Sequence, residues 1–105
     1  MFTITPRAIE ELRRHLIVPP VGSMVPFIVE AYVDERPIAE FTLGFHERTM
    51  LDEFPADHSC EINGLVVLFN EPLMWERKLA AWSLDWANRR FRFVRKGNGD
   101  SGGVR

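Results

Sequence analysis

A chain of 105 residues suffices for one domain with a core of its own and is too short for two. Hydrophobic residues make up 46% and charged residues 27%, an ordinary soluble composition that excludes wholesale disorder. The formal net charge of -2 hides an asymmetry: residues 1–88 hold seven basic and fourteen acidic side chains, residues 89–105 hold six and one, so the end of the chain is a basic appendage.

Residues 2–5 open as a short strand. Thr5-Pro6 then reads as the N-cap and first residue of a helix, because proline there gives up only an N–H that would lack a partner anyway. Ile9, Leu12 and Leu16 recur at three and four residues, the spacing of a buried stripe, with Glu10, Glu11, Arg13 and Arg14 turned to water. Pro19-Pro20 cannot continue the helix and Gly22 supplies a loop, so it is expected to stop near Leu16. His15, in the last turn, suits the macrodipole better than it suits catalysis.

Residues 27–34 alternate as a strand with Phe27, Val29, Ala31 and Val33 on one face. Asp34-Glu35-Arg36-Pro37 is a turn, and residues 39–46 are the returning strand. Period two places Phe41, Leu43 and Phe45 on one face and Glu40, Thr42, Gly44 and His46 on the other, while Pro37, lacking an N–H, belongs at an edge. Residues 47–59 are polar and acidic, with Met50, Leu51 and Phe54 as anchors in a loop. Cys60, the single cysteine, excludes an internal disulfide and a multi-cysteine metal site within one chain, which makes a reducing compartment the expected one.

The densest apolar runs and all three tryptophans fall between residues 60 and 94, so the core is expected to be organised there. Asn63-Gly64 is a tight hairpin turn between strands 60–62 and 65–69. Pro72 fits the first turn of a short helix over 73–79. Asn88 and Arg89 join the final two strands, in the second of which Phe91 and Phe93 alternate with Arg90 and Arg92. Trp82 and Trp86 are expected on one strand face with Leu84 on the other, and Trp75 is expected to be the most exposed of the three. After Lys96 the sequence GNGDSGGVR offers only Val104 as an apolar anchor, so residues 97–105 read as a disordered tail behind a single domain of residues 1–96.

The order helix, hairpin, long loop, hairpin, short helix, hairpin, tail resembles the A-type iron–sulfur carrier (HesB/IscA-like) family over residues 2–95. Ile4-Thr5-Pro6-x-Ala8-Ile9-x-x-Leu12 is similar to that family's N-terminal motif. Leu79-Ala80-Ala81-Trp82-Ser83-Leu84-Asp85-Trp86 is similar to its leucine-aspartate-glycine-threonine-x-leucine-aspartate-aromatic segment, and Phe91-x-Phe93 follows as in the family. The resemblance implies an α+β fold of mostly antiparallel β hairpins packed as a sandwich, with an N-terminal helix and one short helix. Members hold iron or a cluster with three cysteines, and this sequence keeps none: Arg36 falls where the first would stand, and residues 97–103 replace the terminal pair. Ala81 also replaces the glycine of the second motif.

His46, His58 and Cys60 are the candidate metal ligands, with the acids of residues 47–59 nearby, but no HxxxH or HExxH spacing is present and charge in a loop is ordinarily solvated. Arg89, Arg90, Arg92, Arg95 and Lys96 superficially resemble a nucleic-acid strip. Alternation buries the phenylalanines between them, and the acidic remainder of the chain would repel phosphate, so an acidic protein or the molecule's own acidic loop is the expected counterpart. No nucleophile elbow, phosphate loop or supported carboxylate pair is present, so no enzyme and no cofactor are expected. No stretch approaches the ~20 apolar residues of a spanning helix and no secretory signal opens the chain, so it is read as cytoplasmic without a membrane partner. Two function classes stand: a non-enzymatic interaction protein on the carrier scaffold, accessory to iron–sulfur assembly, with Arg36, Pro37 and Trp75 as the contact surface; or a metal or cluster binder using His and carboxylate ligands, or Cys60 shared across a homodimer.

Overall fold

The computed structural model describes residues 1–16 and 24–96, so the expectations for Pro19-Pro20, Gly22 and the 97–105 tail lie outside the described residues. In chain order the elements are β1 (Thr3–Ile4), α1 (Pro6–Leu16), β2 (Met24–Val33), β3 (Arg36–Glu47), two 3-10 turns (Arg48–Glu53 and Ala56–His58), β4 (Ser59–Ile62), β5 (Leu65–Phe69), α2 (Met74–Arg77), β6 (Trp82–Ala87) and β7 (Arg90–Arg95). One sheet has the order β3-β2-β5-β4 and the other β1-β6-β7, an α+β arrangement. Among the described residues no helix is long and apolar enough to cross a membrane.

Three hairpins supply the antiparallel pairs β2–β3, β4–β5 and β6–β7. Each closes with two residues at positive φ, Asp34-Glu35, Asn63-Gly64 and Asn88-Arg89, the geometry whose twist matches that of the flanking strands. The first turn is therefore shorter than the four residues its sequence suggests. Arg36 pairs with Val33 and Pro37 with Tyr32, and β3 is an edge strand, where a proline removes no needed ladder bond. Two parallel pairings join these units: β1 with β6 through Thr3↔Ser83 and Ile4↔Leu84, and β2 with β5 through Phe27↔Leu68 and Ile28↔Phe69.

The core takes Phe2 and Ile4 from the start of the chain, Ala8 and Leu12 from α1, Ile28 from β2, Leu65, Val67 and Phe69 from β5, and Met74, Trp75, Leu79 and Leu84 from the region beyond. On α1 the centre of the buried stripe is the pair Ala8 and Leu12, with Ile9 and Leu16 at its flanks. Glu11 is drawn in rather than turned to water: its side chain is only 15% exposed and lies 3.1 Å from Arg14.

Several expectations are corrected. Strand side chains two residues apart share a face, so Leu84 lies with Trp82 and Trp86, and all three pack on the core, while Ser83 and Asp85 point the other way. On β2 the face of Pro26, Ile28 and Glu30 is buried, while the other face carries buried Val25 and only half-buried Phe27, Val29 and Ala31. That strand is apolar on both sides because Phe54, from the acidic loop, covers its outer face 5.6 Å from Phe27. The helix expected over 73–79 shrinks to four residues, preceded by Leu73 at φ 54°. Trp75 is 7% exposed rather than exposed: one short turn directs its ring inward to lie 5.1 Å from Phe69.

The two ends of the fold are locked at Asp85. The Thr5 hydroxyl donates to its Oδ1 at 2.7 Å, while Arg7 Nε and Nη2 donate to Oδ1 and Oδ2 at 2.8 and 2.7 Å. The same Thr5 oxygen accepts the Ala8 N–H at 3.3 Å, so the helix cap is also the strand clamp. The Arg7 fork, aided by Thr5 and the Trp86 backbone N–H and opposed by burial, holds the Asp85 carboxyl well below the usual carboxylate range. A lowered folded value means the stabilisation is complete above the unfolded value of about 3.9 and is lost as pH falls below it. Asp85→Asn is expected to lower stability at pH 7 by about 2 kcal/mol and to flatten the fall in melting temperature between about pH 5 and pH 3, read by thermal denaturation across pH.

Candidate functional site

The β2–β3 hairpin projects its tip into solvent with an apolar surface. Tyr32, Val33 and Ile38 are 42%, 53% and 38% exposed, which makes this tip the main concentration of large exposed hydrophobic side chains among the described residues. Arg36 and Pro37 are exposed beside them, and Val33, Asp34, Arg36, Pro37 and Ile38 line a shallow hollow of about 500 Å³. Arg36 forms no ion pair among the described residues.

A polar bridge holds the tip in place. Tyr32 donates its hydroxyl hydrogen to Glu71 in a short hydrogen bond. Glu30, 3% exposed, receives Lys78 Nζ at 2.5 Å, and Asn70 Oδ1 accepts the Glu30 N–H at 3.0 Å. A buried carboxylate is tolerated only when paired and hydrogen-bonded. The bond to Glu30 accordingly raises the Lys78 ammonium pKa, and the bond to Glu71 raises that of the Tyr32 phenol. The register of β2 shifts between Glu30 and Tyr32, where this network leaves the sheet. Glu30 is legible in sequence only through its parity with Ile28, a face that the alternation of Phe27 and Val29 conceals.

The expected surface is thus assembled in part. Arg36 and Pro37 lie at the tip, and Tyr32, paired with Pro37, joins it to residue 71, just before α2. Trp75 contributes nothing to that surface, since it is inside.

The metal candidates are distributed over different environments. His46 packs its ring on Phe27 at 4.6 Å, and His58 lies 6.1 Å from Phe54 while its Nδ1–H donates to the Phe69 carbonyl at 3.1 Å. Cys60 packs on the core, opposite Val67. Among the described residues no group of three or more His, Cys, Asp or Glu could hold a metal ion. An iron–sulfur cluster does not fit the donors present: Arg36 carries a guanidinium with no lone pair to give, and burial, with the Glu76 charge adding to it, pushes the Cys60 thiol up to about 11, away from the thiolate that a cluster requires.

A second feature escaped the sequence reading. Where the edges of the two sheets, β3 and β7, approach without pairing, half-buried rings line a cleft of about 470 Å³: Phe41 and Phe45 on one side, Trp86, Phe91 and Phe93 on the other. His15 reaches into this seam from the end of α1, stacked on Phe45 at 5.4 Å and edge-on to Phe91 at 5.5 Å. Its Nδ1 lies 2.9 Å from the Glu11 carbonyl, which can only accept, so Nδ1 carries the hydrogen. The available signal was its position three residues beyond Leu12, at the margin of the apolar stripe. Arg89 and Arg90 stand at the rim of the cleft, and Arg95 lies over the Trp82 ring at 5.2 Å. Among the described residues the β7 arginines make no ion pair with the acidic loop.

No protein-family model and no curated protein matches the chain.

The thiolate is the reactive form of cysteine, so a thiol raised to about 11 is expected to be slow. Alkylation of native Cys60 by iodoacetamide at pH 8 should run roughly a hundredfold slower than that of a free thiol and climb with pH through 10 without levelling off. Unfolding in urea should restore the ordinary rate.

Proposed function

We propose that this protein is a non-enzymatic protein-binding domain whose contact surface is the tip of the β2–β3 hairpin, accessory to iron–sulfur cluster assembly as its resemblance to the A-type carriers implies. The reading is carried by the concentration of Tyr32, Val33 and Ile38 at one exposed tip, beside Arg36, where a domain with no partner would gain nothing from leaving apolar surface in water. The Tyr32–Glu71 and Glu30–Lys78 contacts support it further, because a preorganised surface loses less freedom on binding. Pro37 blunts the edge of β3 at this point, so the tip is suited to side-chain contact rather than to addition of a strand. Arg36, which makes no ion pair among the described residues and can present a planar fork, suits a partner that offers a carboxylate between apolar side chains.

The test compares capture from cytosolic extract by the immobilised wild-type chain and by Val33→Asp, Arg36→Glu and, as a control on α2, Arg77→Glu. All four are expected to melt within a few degrees of one another, since the substitutions lie at exposed positions. One set of proteins should be recovered by the wild type and by Arg77→Glu and be lost from both tip variants. Equal recovery by all four would remove the tip as the interface.

A further inference from the structure

The cleft between β3 and β7 is independent of the hairpin tip, and its chemistry is of one kind. Its walls are rings: Phe41, Phe45, Trp86, Phe91 and Phe93, with Trp86 and Phe91 packed edge to face at 4.7 Å. Its polar lining is His15, Thr42, Arg89 and Arg90, with no carboxylate among the lining residues. The nearest carboxylate is Glu11, behind His15: its backbone carbonyl accepts from His15 Nδ1, its Oε2 lies 3.7 Å from the same nitrogen, and its Oε1 is paired with Arg14 at 3.1 Å. The volume of about 470 Å³ falls in the range of small-molecule sites, where apolar walls bury a ligand body and a few placed polar groups orient it.

We propose that this cleft binds a small aromatic carboxylate. Planar walls in edge-to-face and stacked arrangements accept a planar body, and Arg89 and Arg90, which make no ion pair among the described residues, take an anionic head. His15 contributes ring surface rather than a donor: it lies stacked on Phe45 at 5.4 Å and edge-on to Phe91 at 5.5 Å, with its Nδ1–H committed to the Glu11 carbonyl. A seam left open only because two sheet edges pack imperfectly would show no preference for the charge of what enters it, and that difference makes the assignment testable.

The probes are 2-naphthoate, its neutral amide 2-naphthamide and the cation 2-naphthylmethylammonium, titrated into the full chain and followed by the Trp86 indole and His15 ring resonances. Naphthoate is expected to bind saturably and at least fivefold more tightly than either analogue, with shifts confined to residues around the cleft. Arg89→Gly combined with Arg90→Thr should abolish that preference while leaving the fold intact. Glycine suits the φ of 65° that Arg89 adopts in its turn, and threonine suits the exposed strand position of Arg90. Equal affinity for the three probes, absence of saturable shifts at Trp86 and His15, or a preference that survives the double substitution would each overturn the proposal.

Discussion

The pairing of Asp85 with Thr5 and Arg7 is the constraint on which the rest of the molecule depends, because it joins residues 80 and 78 positions apart by side-chain bonds where the N-terminal segment meets the last hairpin. β1 is only two residues long and cannot hold its parallel partner by ladder bonds alone. The carboxylate supplies what the strand lacks. It takes a fork from Arg7 and a hydroxyl from Thr5, and the backbone bond from the Thr5 N–H to the Leu84 carbonyl at 3.0 Å completes the join. With β1 seated, Phe2 and Ile4 enter the core and α1 lies with Ala8 and Leu12 against it.

That attachment also shapes the open side of the molecule. The three-stranded sheet is tied to the helix through β6, so its free edge, β7, is left facing β3 across a gap filled by side chains rather than by hydrogen bonds. Rings are suited to such a gap, being large enough to span it and able to meet edge to face, as Phe41 meets Trp82 at 5.6 Å. The filling is incomplete, and the residue that enters from the helix end is a histidine. On the far side, the long β2–β3 hairpin carries its tip beyond the core, and buried Glu30 with Lys78 fixes the base from which it projects. Surfaces of opposite character therefore sit on one scaffold: an apolar tip around a single arginine, and an aromatic cleft rimmed by two.

Much of the local structure was legible because it rests on local physics. Thr5-Pro6 starts a helix wherever the following residues carry an apolar stripe, Asn63-Gly64 closes a hairpin because both residues accept positive φ, and Phe91 with Phe93 alternate against arginines because a strand has period two. The burial of Glu30 was concealed, its parity with Ile28 being the one trace of it: its strand is apolar on both faces, and the loop residue Phe54, arriving from elsewhere, covers the outer one. Trp75 illustrates the same limit, since its burial depends on the pose of a one-turn helix that begins at a left-handed leucine, a conformation no residue pattern announces. The aromatic cleft was hidden for a related reason: its two walls come from β3 and from the β6–β7 hairpin, about fifty residues apart, and neither half looks like more than a core-facing strand.

By itself the sequence determined the α+β class, the order of helix and hairpins, the three turn positions, the single thiol and the basic run at residues 89–96, since composition, side-chain periodicity and turn chemistry act over a few residues and are written in the chain. Only the tertiary structure decided that Asp85 is a clamp, that Glu30 is buried with Lys78, that His15 belongs to the seam, and that Tyr32, Val33 and Ile38 are left in water. These outcomes depend on which surfaces meet across long sequence separations. Burial and ion pairing are properties of that meeting, set by the sum of distant contacts rather than by the residues on either side.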